Sequence, residues 1–202
     1  MDAVALDKTG TLTEGRPYAT DVVPLDPAWS RADVLGWAAR AEAGSEHPLA
    51  RPIVEVASAE GLDVTGLPEA TEPVPGKGIV AVLDGHRVAV GNLALLEDER
   101  SSDAASAVVE DLAAAGRTPM AVSVDGRPVG VVAVADRVRP GAARMVADLH
   151  AAGVKRVVML TGDVRRVAEA VAAQVGVDEV HAGLAPARRV PERRRGGRTD
   201  AE

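Results

Sequence analysis

The sequence predicts an α/β fold that is interrupted by an inserted α+β domain. Both ends of the chain carry short apolar strands that lead into turns and helices, as in α/β units. The middle of the chain instead carries two Asp-Gly dipeptides, at 84–85 and 125–126, and each lies between apolar runs. This pattern predicts two hairpins with type I′ turns. A chain of 202 residues is long enough for one large core with a smaller one inserted in it.

Apolar periodicity predicts the individual elements. Ser30 is a candidate N-cap for the first helix, and Pro52 lies in the first turn of the second. Pro128, at the start of a return strand, predicts that this strand lies at a sheet edge. The predicted helices are 30–40, 49–59, 104–115, 141–152 and 165–175. The predicted strands are 3–6, 78–82, 86–90, 121–124, 128–134, 156–160 and 179–182.

Composition excludes several classes of function. The net charge of −7 argues against a general nucleic-acid binder. The absence of Cys excludes disulfides and thiolate metal sites. No apolar run approaches the roughly 20 residues of a membrane helix, and no signal peptide is visible. We therefore expect a soluble, cytoplasmic chain that does not itself insert into a membrane.

An acidic residue, Asp7, stands directly after the first strand. Open α/β sheets bind ligands at the carboxyl ends of their strands. A carboxylate there can attack phosphorus and form an aspartyl phosphate, which requires charge neutralisation and a divalent metal. Lys8, Thr9 and Gly10 offer a cation, a hydroxyl and free N–H groups for phosphate oxygens. An isolated Asp in this position would more often cap a turn.

The heptapeptide DKTGTLT, residues 7–13, resembles the phosphorylation motif of P-type ATPases, which are ion pumps with a haloacid-dehalogenase-like fold. Two more core segments match, VVMLTGD at 157–163 and the hinge segment ADRVRP at 135–140. EAGSEHPLA at 42–50 resembles the nucleotide-domain signature of the heavy-metal-transporting branch. PGKGI at 75–79 and VGNLALL at 90–96 resemble other parts of that domain. The resemblance covers about residues 1 to 190.

The resemblance implies ATP as the substrate, Mg²⁺ as the cofactor and transfer of the γ-phosphoryl group to Asp7. It implies that Glu42 and His47 contact the adenine, although a lone His would more often be a surface or capping residue. Asp163 could also cap the helix that follows it. The implied catalytic residues are Asp7, Lys8, Thr9, Thr161, Gly162, Asp163 and Arg189, the last in place of a Lys. The implied nucleotide-binding residues are Glu42, His47, Pro48, Gly76, Gly78, Ile79, Gly91 and Asn92. The implied hinge residues are Asp136, Arg139 and Pro140, and an incomplete Mg²⁺ site would use Asp7 and Thr9.

The resemblance also implies a domain division. A haloacid-dehalogenase-like, Rossmannoid phosphorylation domain would use residues 1–20 and, incompletely, 131–190. An α+β nucleotide-binding domain would use 21–130, and 191–202 would form a disordered tail. The family's Gly-Asp-Gly-x-Asn-Asp motif does not occur. We therefore expect a truncated cytoplasmic region of a pump of the plasma membrane, without the membrane and actuator domains of the parent.

Two other functions remain open from the sequence. The chain could be a nucleotide-binding fragment without turnover, which the missing motif favours. It could also be a soluble phosphatase of the same superfamily. Those phosphatases usually carry a second Asp two residues after the nucleophile as the general acid/base, and here Thr9 occupies that position. The resemblance therefore favours a long-lived phosphoenzyme.

Overall fold

The computed structural model describes residues 2–45, 47–96 and 103–184, and these residues form two β-sheets with flanking helices. A three-stranded parallel sheet has the order β1-β8-β9, and a six-stranded antiparallel sheet has the order β2-β7-β6-β5-β4-β3. The strands are β1 Ala3–Asp7, β2 Thr13–Pro24, β3 Ala70–Val74, β4 Gly78–Leu83, β5 His86–Gly91, β6 Thr118–Val124, β7 Arg127–Val138, β8 Arg156–Leu160 and β9 Glu179–His181. The helices are α1 Arg31–Glu42, α2 Ala50–Ala59, α3 Leu93–Leu96, α4 Asp103–Ala114, α5 Ala142–Ala151 and α6 Arg165–Val175.

The parallel sheet joins the two ends of the chain. β1 pairs with β8 in register from Ala3 opposite Arg156 to Asp7 opposite Leu160. Helices α5 and α6 pack on this sheet over a core that includes Val157 and Met159, both fully buried. Strand β8 lies between β1 and β9, and α5 and α6 pack against the sheet. A strand in this position is buried, which explains the continuous apolar run that the sequence showed.

The antiparallel sheet has a second core, covered by α1 and α2. Both predicted hairpins are present, and Asp84 and Asp125 have positive φ angles of 52° and 49°, as type I′ turns require. Helix α1 begins with a capping box in which the hydroxyl of Ser30 accepts from the N–H of Asp33. The predicted α/β organisation with an antiparallel insertion is thus confirmed.

A long two-stranded ribbon, β2 with β7, connects the two sheets. The strands pair from Thr13 opposite Val138 to Pro24 opposite Gly130. The domain boundaries predicted near residues 20 and 131 fall inside this ribbon, and the division into domains stays a prediction. The edge prediction for Pro128 is wrong, because β7 lies between β2 and β6. Proline is accommodated there because β2 has already ended, and a register shift in the β6 pairing lies beside it.

All five predicted helices are present, with bounds within two residues of those predicted. Strands β2 and β3 and the single turn α3 were not predicted. The tail predicted for 191–202 lies outside the described residues. No helix in the described part of the chain is long and apolar enough to cross a membrane.

Candidate active site

The predicted nucleophile, Asp7, is the last residue of β1 and is exposed to solvent. The chain then makes an irregular turn over Lys8–Leu12 before it enters β2. Gly10 has a positive φ of 80°, which reverses the chain directly after Thr9. A methyl group at Gly10 would meet no atom within 4 Å, so the glycine is required by backbone conformation and not by space.

Lys8 places a buried cation next to Asp7, the predicted nucleophile. It is only 7 % exposed, and its Nζ lies 2.6 Å from Oδ2 of Asp163, which follows β8. Asp7, the last residue of the strand, is open to solvent, while Lys8, the first residue of the turn, is buried. Breaking such a pair would leave an uncompensated charge in a poorly hydrated place, so the ion pair fixes the position of both side chains.

Thr161 directly follows β8, the strand that pairs with β1. It is 5 % exposed, and its Oγ1 accepts a hydrogen bond of 3.1 Å from the N–H of Asp163. Its hydroxyl proton is therefore available to another acceptor. A Cβ at Gly162 would lie 3.2 Å from the carbonyl oxygen of Leu184, so the chain is closely approached there. The N-cap of α6 is Val164, and the alternative role of Asp163 as the cap is wrong.

The predicted hinge residues hold the turn that follows Asp7. The carboxylate of Asp136 accepts from the N–H groups of Gly15 and Arg16, both at 3.0 Å. The guanidinium of Arg139 donates to the carbonyl oxygens of Thr13, at 2.9 Å, and Gly10, at 3.0 Å. Pro140 follows directly and is exposed. The return strand β7 thus fixes the backbone of the turn.

Glu42 is a buried carboxyl at the end of α1. It is 5 % exposed, and burial raises its pKa, although a hydrogen bond from the Ser45 side chain opposes the shift. Among the described residues nothing pairs with its buried Oε2 atom. His47 is exposed, and its Nδ1 accepts from the N–H of Leu49, which leaves Nε2 to carry the ring proton. Pro48 beside it is exposed as well.

The predicted glycine-rich residues meet at one end of the antiparallel sheet. Gly78 pairs with Gly91 across β4 and β5, and the Asn92 side chain donates to the carbonyl oxygen of Gly76 at 2.8 Å. A Cβ at Gly78 would lie 2.2 Å from the carbonyl oxygen of Val90, so only glycine allows this backbone approach. A Cβ at Gly76 would meet nothing within 4 Å, which leaves this turn open to a ligand.

The predicted residues form three groups in the described structure. Asp7, Lys8 and Asp163 belong to the first, Gly76 and Asn92 to the second, and Glu42 and His47 to the third. Ile79 has its side chain in the core, 5 % exposed, in the same apolar cluster as Ala41 at the end of α1. The second and third groups therefore rest on one core. Arg189 lies outside the described residues.

Sequence reasoning missed two polar residues. The Ser45 hydroxyl hydrogen-bonds to Glu42, and the fully buried Thr13 hydroxyl contacts both Lys8 and Asp136. Ser45 lies in the SEHP part of one motif and Thr13 ends the DKTGTLT motif, so membership of these motifs could have identified both residues.

The described residues contain no group of three or more acidic or histidine side chains that could hold a metal by themselves. Asp7 and Thr9 are both exposed residues, and they would offer a carboxylate and a backbone carbonyl oxygen. Such hard oxygen ligands, completed by substrate phosphates and water, are those that Mg²⁺ uses. The donor set thus fits a cation that arrives with a nucleotide.

A family model and several curated proteins match the chain. Residues 1–189 match the family described as haloacid dehalogenase-like hydrolase. The copper-exporting P-type ATPase of Bacillus subtilis is 40 % identical over 193 residues, which is 95 % of this chain and 24 % of that protein. The manganese-exporting P-type ATPase of Mycobacterium leprae is 41 % identical over 189 residues, which is 92 % of this chain and 26 % of that protein. The chain therefore spans about a quarter of the length of these curated relatives.

Solved structures give the same result. A zinc-transporting PIB-type ATPase in the E2.Pi state aligns with a TM-score of 0.68 and 36 % identity, over 91 % of this chain and 29 % of that one. The catalytic CPx-ATPase domain CopB-B aligns with a TM-score of 0.63 and 23 % identity, over 92 % of this chain and 61 % of that one, and shows the fold alone. The predicted fold class and the resemblance to heavy-metal P-type ATPases are both confirmed.

Proposed function

Because the chain belongs to the haloacid dehalogenase-like hydrolase family, we propose that it binds ATP and accepts the γ-phosphoryl group on Asp7, as the catalytic region of a heavy-metal-transporting P-type ATPase. The observation that carries this proposal is the arrangement around β1 and β8. An exposed carboxylate, a buried cation and a buried hydroxyl, from Asp7, Lys8 and Thr161, lie at the carboxyl ends of adjacent parallel strands.

The reaction is one in-line displacement. A carboxylate oxygen of Asp7 forms a bond to the γ-phosphorus, the bond from that phosphorus to the β,γ-bridging oxygen breaks, and ADP leaves with the electron pair. Lys8 and the hydroxyl of Thr161 stabilise the negative charge on the transferred group. Bound Mg²⁺, with Asp7 and Thr9 as its protein ligands, would supply further neutralisation of the phosphate charge.

The nucleotide itself would rest on the antiparallel sheet. The orphaned Oε2 of Glu42 is an acceptor suited to an exocyclic amino group of a purine, and Nε2 of His47 is a donor. The open turn at Gly76, held by Asn92, would take the nucleotide close to the backbone. Gly78, Gly91 and Ile79 contribute through the backbone and the core, because their own positions are closely packed.

In the parent protein, this region would lie on the cytoplasmic side of the plasma membrane. Together with membrane and actuator domains, its phosphoenzyme would drive export of a heavy-metal cation. The relatives carry names for copper, manganese, zinc and silver exporters, so the proposal names the class of cation and no single metal. Asp136, Arg139 and Pro140 would serve as the hinge, and the predicted role of Arg189 as a phosphate-neutralising cation belongs to the same proposal.

The test is phosphorylation of the purified chain with γ-³²P-ATP and Mg²⁺, followed by an acid quench and treatment with hydroxylamine. We expect hydroxylamine-labile label in the wild type and none in Asp7→Asn. Binding of ATP is measured in parallel for both proteins and should be retained in Asp7→Asn. Asp148→Asn, an exposed carboxylate on α5, is the matched control and should take label like the wild type.

Each outcome separates the proposal from its rivals. ATP binding without label in the wild type would identify a nucleotide-binding fragment without turnover. Steady hydrolysis of small phosphate esters without a lasting label would identify a soluble phosphatase. Label that persists in Asp7→Asn would refute the assigned nucleophile.

A further inference from the structure

The last residue of the DKTGTLT segment has no role in the mechanism above. Thr13 begins β2 and is fully buried, with 0 % exposure, although it carries a hydroxyl. A threonine placed there only for β-propensity could be replaced by valine, which has the same shape and no hydroxyl. What its hydroxyl contacts therefore decides whether it does more than fill space.

The hydroxyl of Thr13 lies between two backbone groups of the turn and one carboxylate of β7. It is 2.5 Å from Oδ2 of Asp136, 3.0 Å from the carbonyl oxygen of Lys8 and 3.4 Å from the nitrogen of Gly10. It has one proton to donate, and the shorter contact is with the carboxylate, which is also the stronger acceptor. Its lone pair accepts from Gly10. One hydroxyl thus joins the turn after the nucleophile to the return strand β7.

We infer that Thr13 is a positioning residue for phosphoryl transfer: through Asp136 it holds the backbone of residues 8–10 in the shape that presents Thr9 and Gly10 to the phosphoryl group. The inference rests on the proposed function. Asp136 also accepts from the N–H groups of Gly15 and Arg16, so its carboxylate is held in place by the residues that follow Thr13. Arg139, which directly follows β7, donates to the carbonyl oxygens of Gly10 and Thr13, so one contact to the turn remains when the hydroxyl is lost.

This separation of roles makes a specific prediction. Because the hydrogen bonds of Arg139 and Gly15 and the strand pairing remain, we expect Thr13→Val to keep the fold and the antiparallel sheet. The backbone of residues 8–10 loses its hydrogen-bonded connection to Asp136 through the hydroxyl. The rate of phosphorylation should fall by about tenfold to a hundredfold, as expected for loss of one hydrogen bond to a charged group. The dissociation constant for ATP should change by less than about twofold, since the glycine-rich residues proposed for the nucleotide lie at β4 and β5, several strands away from Thr13 on β2.

Four variants test the inference: Thr13→Val, Thr13→Ser, Asp136→Asn and Thr20→Val. Thr13→Ser restores the hydroxyl and should recover most of the lost rate. Asp136→Asn keeps the size of the side chain but presents N–H groups to donors, so it should slow phosphorylation as Thr13→Val does. Thr20→Val is the matched control, because Thr20 lies on the same strand and its hydroxyl donates only to the carbonyl oxygen of Ala133, at 3.3 Å. It should phosphorylate like the wild type.

Rapid-quench measurement of the hydroxylamine-labile label gives the rates, and calorimetric titration gives the ATP affinities. A wild-type rate in Thr13→Val, or a Thr13→Ser rate as low as that of Thr13→Val, overturns the inference. A wild type that takes no label refutes the proposed function instead. Amide hydrogen exchange of Gly10, Gly15 and Arg16 then decides the positioning role. Faster exchange in Thr13→Val than in Thr20→Val supports it, and equal exchange overturns it.

Discussion

Two glycines of the proposed nucleotide site, Gly91 and Gly76, offer a test that separates steric crowding from backbone conformation. Gly91 has no positive φ, yet a Cβ on it would lie 2.1 Å from the carbonyl oxygen of Lys77 and 2.9 Å from the Cα of Gly78. Gly76 is the reverse case, with a φ of 73° and no atom within 4 Å of the added carbon. Gly85 has nearly the same φ, 76°, and the same open space, but lies in the hairpin turn at the opposite end of β4.

The magnitude follows from these contacts. Favourable contacts to carbon lie at about 3.5–4.0 Å, so Gly91→Ala requires the backbone of Lys77 and Gly78 to move away by roughly 1–2 Å. The obstructing atoms at Lys77 and Gly78 are backbone, which cannot rotate away, so we expect a loss near the upper end of overpacking costs, about 3 kcal/mol. Gly76→Ala and Gly85→Ala meet no obstacle and should each lose about 1–2 kcal/mol for the left-handed conformation.

Urea unfolding followed by tryptophan fluorescence measures these losses. Trp29 and Trp37 are the chain's two tryptophans, and both pack against the core of the antiparallel sheet, so the signal reports that core. ATP titration adds the functional measurement. Gly76→Ala should weaken ATP binding more than Gly85→Ala does at equal stability, because its methyl group enters the space proposed for the nucleotide. An unfolding free energy of Gly91→Ala equal to that of Gly85→Ala would refute the crowding argument.

Three further predictions concern a cap, an ion pair and a buried acid. Ser30→Ala removes the capping box of α1 and should cost about 1 kcal/mol of unfolding free energy, against no change for the exposed Ser58→Ala in α2. Asp163→Asn leaves Lys8 buried without a counter-ion and should lower the free energy of unfolding by up to about 3 kcal/mol. A decrease smaller than the error of urea unfolding would contradict the contribution of this ion pair. Burial raises the pKa of Glu42, so the folded state holds its proton to higher pH than the unfolded state does, and folding stability falls as pH rises through that range. Glu42→Gln should remove this fall, which urea midpoints of both proteins between pH 4 and 7 would show, and identical pH profiles would refute it.

The parts of the fold that the sequence predicted well are those with local signals. The Asp-Gly turns at 84 and 125 require positive φ, and α6 has an uninterrupted apolar stripe that ends at Gly176. Strand β2 was missed because TEGRPYATDVVP contains glycine, two prolines and no regular alternation. Its pairing with β7 joins residues more than a hundred positions apart, and no local pattern reports such a contact.

The candidate site shows the same limit. The motif letters gave the identities of Asp7, Lys8 and Asp163, but the ion pair between the last two depends on the parallel pairing of β1 with β8. The raised pKa of Glu42 also follows from packing at the end of α1, which its neighbours in the sequence do not specify. Residue types can therefore be read from a motif, whereas burial and partners require the fold.

The turn that follows Asp7 lies between the two sheets along the chain. The chain leaves the parallel sheet at Asp7 and enters the antiparallel sheet at Thr13, and it returns from Val138 towards α5. Besides the contact between α4 and α6, where Arg166 pairs with Glu110, these two crossings connect the sheets. Arg139 in the second crossing donates to carbonyl oxygens of Gly10 and Thr13 in the first, so the crossings are tied to each other. These hydrogen bonds connect the antiparallel sheet, with its proposed nucleotide site, to the backbone that follows Asp7, the proposed nucleophile.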